Sequence, residues 1–304
     1  MPNLEIKHGA YRALIRTRGA GLNSLTFRGR DLIEPYVENA PVELFRGDVL
    51  APWPNRIADG TYSVDGKPFK VAINEPTRQT ALHGLVNRLE WDVTSHTESQ
   101  VGLTTTLASS SSYPSSLDFH ISYSFSNDGL SIALSATNIG NQRAPYGASI
   151  HPYLVADPGQ RNGDWKLLLH CNEVLGVDPV RLLPTAIAKV SDLDYDFSEP
   201  RLIGERFIDH AFVVDPSKPR EVLLTDSNGR GVKMSFTPDC NWIQIHTADR
   251  DGGESARTCL AVEPMTCPPN AFRSGKDLIW LEPTECKLIQ WQISELSAAK
   301  SVDL

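Results

Sequence analysis

The chain has 304 residues, 40% of them hydrophobic, and a formal net charge of -8, so it can bury a large core while its average surface repels duplex nucleic acid. No apolar stretch is long enough to span a bilayer, and Met1–His8 lacks the apolar core of a signal peptide, which argues against a membrane partner. The five cysteines (Cys171, Cys240, Cys259, Cys267 and Cys286) are odd in number and form no Cys-x-x-Cys pair, so a disulfide framework and a zinc knuckle are unsupported and a reduced, cytoplasmic chain is expected.

In chain order, the first strand pair is Tyr11 to Thr17 and Leu22 to Phe27, divided by Gly19-Ala20-Gly21. The segment Ala51-Pro52-Trp53-Pro54-Asn55-Arg56-Ile57 follows, its two prolines holding it extended around a Trp. His83 comes next, in Ala81-Leu82-His83-Gly84-Leu85. Ser109 to Ser116 reads as an exposed loop. Leu117, Phe119, Ile121, Tyr123 and Phe125 then alternate with small polar residues, Asn127-Asp128-Gly129 supplies a turn, and Leu130, Ile132, Leu134 and Ala136 resume the alternation. Period-2 patterning across Asp-Gly is a specific hairpin signal. Further runs are Glu221 to Thr225 with Val232 to Phe236, Trp242 to Thr247 with Thr258 to Glu263 around Asp251-Gly252-Gly253, and Leu288 to Ile293. No long helical periodicity occurs. Many short strands with turn signals between them predict an all-β fold, a large antiparallel β-sandwich or barrel. No low-complexity linker divides residues 1–304, which read as one domain.

Chemistry-bearing residues sit where these strands break. His83 precedes Gly84, and His151, in Ser149-Ile150-His151-Pro152-Tyr153, precedes a proline that restricts it to an extended backbone. Imidazole can give and take a proton near neutrality. Asn55 and Arg56 supply directed donors for a hydroxyl-rich or anionic ligand. Asp209 lies in the apolar setting Phe207-Ile208-Asp209-His210-Ala211-Phe212, where a carboxylate needs partners. Glu263 ends an apolar run before Pro264, a setting that raises a carboxyl pKa toward the working pH. His120, on the polar face of its strand, is assigned no role. The histidine and carboxylate spacings match no zinc pattern, and His-Glu-x-x-His is absent. Neither a Gly-x-Ser-x-Gly elbow nor a Gly-rich phosphate loop is present. No metal and no cofactor are expected.

Taken in order, Asn55-Arg56, Leu82-His83-Gly84, His151-Pro152-Tyr153, Asp209-His210 and Glu263-Pro264 resemble the aldose 1-epimerase (galactose mutarotase) family. The resemblance covers nearly the whole chain. It implies a large antiparallel β-sandwich with its site in a cleft on one concave sheet. It also implies interconversion of the α and β anomers of a free monosaccharide. On this resemblance His151 is the general acid toward the ring oxygen, Glu263 the general base toward the C1 hydroxyl, and His83 a second donor. Arg56 and Asp209 bind hydroxyls and Asn55 supports them. Trp53 or Tyr153 would wall the sugar. Because a touching acid and base would neutralise each other, His151 and Glu263 are expected on opposite sides of the C1–O5 region, without direct contact.

Three other readings share these residues. A hexose 6-phosphate enzyme would need a basic rim, for which Arg78 and Arg88 are candidates. A non-catalytic sugar-binding protein of the same fold would bind without turnover. A glycosidase would use a carboxylate pair such as Asp209 and Glu263.

Overall fold

The computed structural model describes residues 3–36, 44–249 and 256–297. Two large antiparallel sheets pack face to face, and their facing side chains make the main core. The larger sheet has nine strands, in the order Asp92–His96, Gln100–Leu107, Leu117–Ser126, Gly129–Asn138, Cys286–Leu296, Gly231–Phe236, Glu221–Thr225, Lys166–Leu169 and Arg201–Leu202. Its centre is the hairpin expected from the alternation. Leu117 pairs with Asn138 and Ser126 with Gly129, which leaves Asn127-Asp128 as a two-residue loop. Phe119, Ile121 and Tyr123 point inward and are buried, whereas His120 on the opposite face is exposed. The pairs Tyr11–Arg16 with Leu22–Phe27, and Glu221–Thr225 with Gly231–Phe236, also form as the sequence indicates. The expected turn at Asp251-Gly252-Gly253 lies outside the described residues.

The second sheet has six strands, in the order Tyr153–Leu154, Leu260–Met265, Trp242–His246, Asp209–Val214, Cys171–Val177 and Pro184–Lys189. Alternation divides its side chains cleanly. Leu260, Val262, Ile243, Ile245, Phe212 and Val174 join the main core. Asp209, Gln244, His246 and Glu263 fall on the other face by the same two-residue period. Beside them lies a separate small apolar cluster of Leu175, Ala211, Trp242 and Met265. Trp291, from the larger sheet, donates its indole N–H to the Pro264 carbonyl at 3.2 Å, tying the two sheets together beside Glu263.

Two expectations are corrected. The strand carrying Glu263 does not end there; it continues through Pro264 to Met265. The Pro264 carbonyl accepts from Ser149 Oγ at 2.9 Å and from Trp291, on the edge away from the Trp242–His246 ladder. In a strand the nitrogen and carbonyl of one residue point the same way, so the missing N–H of Pro264 costs that ladder nothing. The Ser109 to Ser116 segment is also not wholly exposed. Tyr113 is buried with its hydroxyl donating to the Pro145 carbonyl at 2.6 Å, and buried Ser115 donates to Asn138 Oδ1 at 2.8 Å. A large aromatic in a polar run anchors the loop to the core.

Two short strand pairs bring the remaining sequence islands to the polar face of the six-stranded sheet. Arg56–Ala58 pairs with Thr80–Leu82, and Val49–Leu50 pairs with Ser149–Ile150. Between them the backbone approaches itself closely at Gly84. Its φ is +75°, and a Cβ there would sit 2.0 Å from the Ala51 carbonyl oxygen, which Leu85 N–H already reaches at 2.8 Å. Gly84→Ala is therefore expected to cost more than about 2 kcal/mol, since both the conformation and the space forbid a side chain. Urea unfolding checks this; wild-type stability in the variant would show that the close approach is not needed.

Candidate active site

The first wall of the site is a reciprocal pair of backbone-anchored residues. Asn55 N–H donates to His83 Nδ1 at 3.1 Å, and His83 N–H donates to the Asn55 carbonyl at 2.9 Å. Both residues have left-handed backbones, φ +55° at Asn55 and +63° at His83. Asn55 Oδ1 accepts the Arg56 N–H at 2.9 Å, which fits the supporting position expected of it. Accepting a hydrogen bond at Nδ1 leaves the neutral His83 ring its proton on Nε2. Complete burial, with His151 and Arg56 nearby, holds His83 well below the usual imidazole range. His83 is thus a neutral Nε2–H donor. The edge of Phe45 packs against it with ring centroids 4.6 Å apart.

His151 is fixed through its backbone. Its N–H donates to the Asp48 carbonyl at 3.0 Å, and its carbonyl accepts from Gly47 N–H at 2.9 Å. The Asp48 side chain is itself buried and ion-paired with Arg16. The His151 ring stacks on Tyr153, centroids 4.9 Å apart and planes 19° apart, and meets His83 edge-on at 5.1 Å.

Glu263 reaches His151 directly: Oε1 lies 3.3 Å from Nε2. The expected separation of acid and base is therefore corrected. The separation was argued from two charged groups, but neither is kept charged here. Burial raises Glu263 well above the usual carboxylate range, with Asp209 adding to the rise and Arg56 opposing it. Burial also lowers His151 to about 3, helped by His246. A neutral carboxylic acid beside a neutral imidazole can touch without the cost of two buried charges.

Arg56 and Asp209 flank this centre. Arg56 is buried and clamped by Glu75, with Nε at 2.8 Å from Oε2 and Nη2 at 3.0 Å from Oε1. Asp209 Oδ1 accepts from Gln244 Nε2 at 2.6 Å, and Gln244 lies directly across the ladder from Glu263. Among the described residues, the buried Glu263 Oε2, Gln244 Oε1 and His246 Nδ1 have no hydrogen-bond partner. Buried polar atoms left open on one sheet face suit a ligand rich in hydroxyls.

All six sequence-predicted residues thus fall in one cluster. The aromatic walls do not stand as expected. Trp53 is buried and packs on Phe272 at 5.4 Å, and Tyr153 lies beneath His151, because both rings have neighbours that consume their faces. Arg78 is drawn to Glu75 at 3.4 Å, and Arg88 is exposed at the end of another short helix. Glu75, Gln244 and His246 were missed. Gln244 and His246 alternate with Ile243 and Ile245 in a strand the sequence does reveal, a signal that was available. Glu75 sits in a polar stretch before Pro76 and carried no signal.

His83, His151 and Glu263 offer three candidate metal-ligand atoms within 4.8 Å of one another. The donor types suit a divalent ion, but the geometry of His83 does not. Its Nδ1 accepts from Asn55, so Nε2 holds a proton instead of a lone pair.

With this geometry in view, a sequence model of the family described as aldose 1-epimerase matches residues 2–292. The chain belongs to the aldose 1-epimerase family. It is 38% identical over 275 residues to the uncharacterized protein YihR of Escherichia coli K12, covering 90% of this chain and 87% of that protein. It is 28% identical to the galactose mutarotase of Bos taurus, over 63% of this chain and 58% of that enzyme. In fold it is similar to the GalM/aldose epimerase homologue from C. elegans, with a TM-score of 0.83 at 21% identity, over 97% of this chain and 99% of that one.

Two stability predictions follow from the charges. Arg56 depresses the pKa of Glu75 against the opposing effect of burial, so their pair stabilises the fold above the unfolded carboxyl pKa and loses that contribution as pH falls through the folded value. Glu75→Gln should cost roughly 2–4 kcal/mol at pH about 7 and much less at pH about 3, measured by urea unfolding. Glu263 has the opposite sign: its raised pKa makes the ionised form a liability once pH exceeds the unfolded carboxyl value. Glu263→Gln should therefore gain about 1–2 kcal/mol at pH about 8 and little at pH about 4, read by thermal unfolding.

Proposed function

We propose that this protein is an aldose 1-epimerase that interconverts the α and β anomers of a free hexose, with His151, Glu263 and His83 as its catalytic groups and Arg56, Asp209 and Asn55 serving substrate binding. The observation that carries this reading is the 3.3 Å approach of His151 Nε2 to Glu263 Oε1 in a buried cleft also faced by His83, Arg56 and Asp209. Family membership supports the reaction class. Residues 1–304 act as one domain, and the small substrate and the free thiols suit a cytoplasmic setting.

The reaction needs one proton removed from O1 and one delivered to O5. The His151–Glu263 pair holds one exchangeable proton between its members, and their contact lets it move from one to the other. In the unliganded site burial favours the neutral arrangement. A bound sugar places hydroxyl donors beside Glu263, and with Arg56 they favour the carboxylate, so the proton passes to His151. Glu263 then takes the O1 proton as the C1–O5 bond breaks, and His151 gives its proton to O5. The product is the open-chain aldehyde. His83 donates a hydrogen bond toward the ring oxygen from Nε2. Rotation about C1–C2 turns the other carbonyl face to O5, and the same transfers run backward to close the ring. Arg56, Asp209 and Gln244 hold the remaining hydroxyls meanwhile. These steps call on no cofactor.

Polarimetry or NMR of freshly dissolved α-glucose and α-galactose tests the proposal. Anomerisation well above the buffer rate is expected. Glu263→Gln and His151→Asn should each lower kcat by about 100-fold or more while leaving the fold intact, because each removes one of the two positioned proton-transfer groups. Sugar binding without acceleration would instead identify a binding protein, and near-wild-type turnover in either variant would remove the role assigned to that residue.

A further inference from the structure

A strap that nothing in the proposed chemistry uses links the edge of the six-stranded sheet to the short helix Pro76–Arg78. The Cys171–Val177 and Pro184–Lys189 strands lie at the edge of the six-stranded sheet, next to the strand that begins at Asp209. The turn of residues 178–183 joins them. It is organised by Asp178, whose Oδ1 accepts the Val180 and Arg181 N–H groups at 3.0 and 2.6 Å, and whose carbonyl accepts Leu182 N–H at 2.8 Å. Leu182 is buried, with φ +50°. Arg181, at the crest, reaches the opposite wall. Its Nε donates to the Arg78 carbonyl at 3.0 Å, and its Nη2 donates to the Gln79 carbonyl at 2.9 Å and to Asp59 Oδ1 at 2.8 Å. Asp59 is held in turn by Arg273, at 2.9 Å from Oδ2.

The wall that Arg181 grips is the one that carries Arg56. Gln79 closes the short helix Pro76–Arg78, which directly follows Glu75, and Glu75 clamps Arg56. The strap thus joins the sheet floor to the Arg56 wall on the Asp209 side. The reacting centre lies elsewhere, where His151 and His83 meet Glu263. A pyranose with C1 and O5 at that centre turns its far edge toward Arg56, Asp209 and the strap.

We propose that Arg181 is a specificity-determining residue whose strap limits the substrate to a single sugar ring by blocking substituents on the edge opposite C1. The inference rests on the mutarotase reading, and it needs no role for Arg181 in the proton transfers. Two of its three contacts are to backbone carbonyls, which only a donor with several N–H groups in a fixed plane can engage together with a carboxylate. Arg181→Ala breaks all three at once, whereas Arg181→Lys keeps one charge opposite Asp59 and loses the planar fork.

The test compares glucose with maltose, which has the same reducing ring but a second ring on O4. Mutarotation rates are measured for the wild type, Arg181→Ala and Arg181→Lys, and binding of both sugars by NMR reads the strap independently of turnover. The wild type is expected to favour glucose. Arg181→Ala should raise the maltose-to-glucose ratio of kcat/KM by about tenfold or more, mainly through a lower KM for maltose, with Arg181→Lys between. Glucose kcat and the thermal midpoint should change little, which separates an opened cleft from a damaged fold. Equal use of both sugars by the wild type, or an unchanged ratio in Arg181→Ala, would overturn the strap. If no sugar is turned over but glucose still binds in preference to maltose and Arg181→Ala removes that preference, the strap stands and the mutarotase reading fails. Absence of both turnover and binding overturns both.

Discussion

The site depends on placing a carboxyl and an imidazole in contact where water is scarce. His151 and Glu263 lie 3.3 Å apart, both buried. Two oppositely charged groups there would carry a heavy desolvation cost, so the unliganded pair rests neutral with one proton to spare. That economy demands accurate backbone placement, because a neutral pair in contact lacks the long reach of an ion pair. Each partner is accordingly set by backbone. Glu263 sits inside a ladder, opposite Gln244, and His151 is held at its N–H and carbonyl by Asp48 and Gly47. The buried Arg16–Asp48 ion pair underlies that clamp. A buried ion pair directly behind His151 thereby supports the position of its ring.

The same sheet serves two purposes because its side chains alternate. Ile243, Ile245 and Val262 pack into the core, while Gln244, His246 and Glu263 between them face the cleft. Tyr153, Ala261, His246 and Asp209 form one row across four strands, through the pairings Tyr153 with Ala261, Ala261 with His246, and His246 with Asp209. His151 stacks on the Tyr153 end of that row. The opposite wall comes from a different principle. There, two left-handed residues and one indispensable glycine fold Asn55 and His83 against each other, fixing the His83 tautomer as well as its position.

Much of this was legible from residues alone. The hairpin around Asn127-Asp128 followed from alternation and a turn signal, both local properties of the chain. The candidate site residues stood out as an ordered set through their resemblance to the aldose 1-epimerase family; the chain breakers beside His83 and His151 and the apolar flanks of Asp209 and Glu263 by themselves fit ordinary structural roles as well. Gln244 and His246 were equally local, as polar residues alternating with isoleucines, and could have been read. Glu75 and Arg181 were not legible in the same way. Each looks like an ordinary surface charge, and its importance rests on a partner distant in sequence: Arg56 for one, Asp59 and the Arg78 and Gln79 carbonyls for the other.

What the sequence determined by itself was therefore the strand pattern, the face each strand residue takes, and which residue types were available for acid, base and hydroxyl recognition. These depend on period, turn chemistry and side-chain identity, all of which are written locally. Only the tertiary structure decided that His151 and Glu263 touch, that Trp53 is core instead of wall, that Pro264 continues its strand, and that Arg181 grips the wall that carries Arg56. Each of those outcomes depends on the distance or burial between segments far apart in the chain. Burial then decides protonation, since the neutral contact of His151 and Glu263 exists only where water has been displaced.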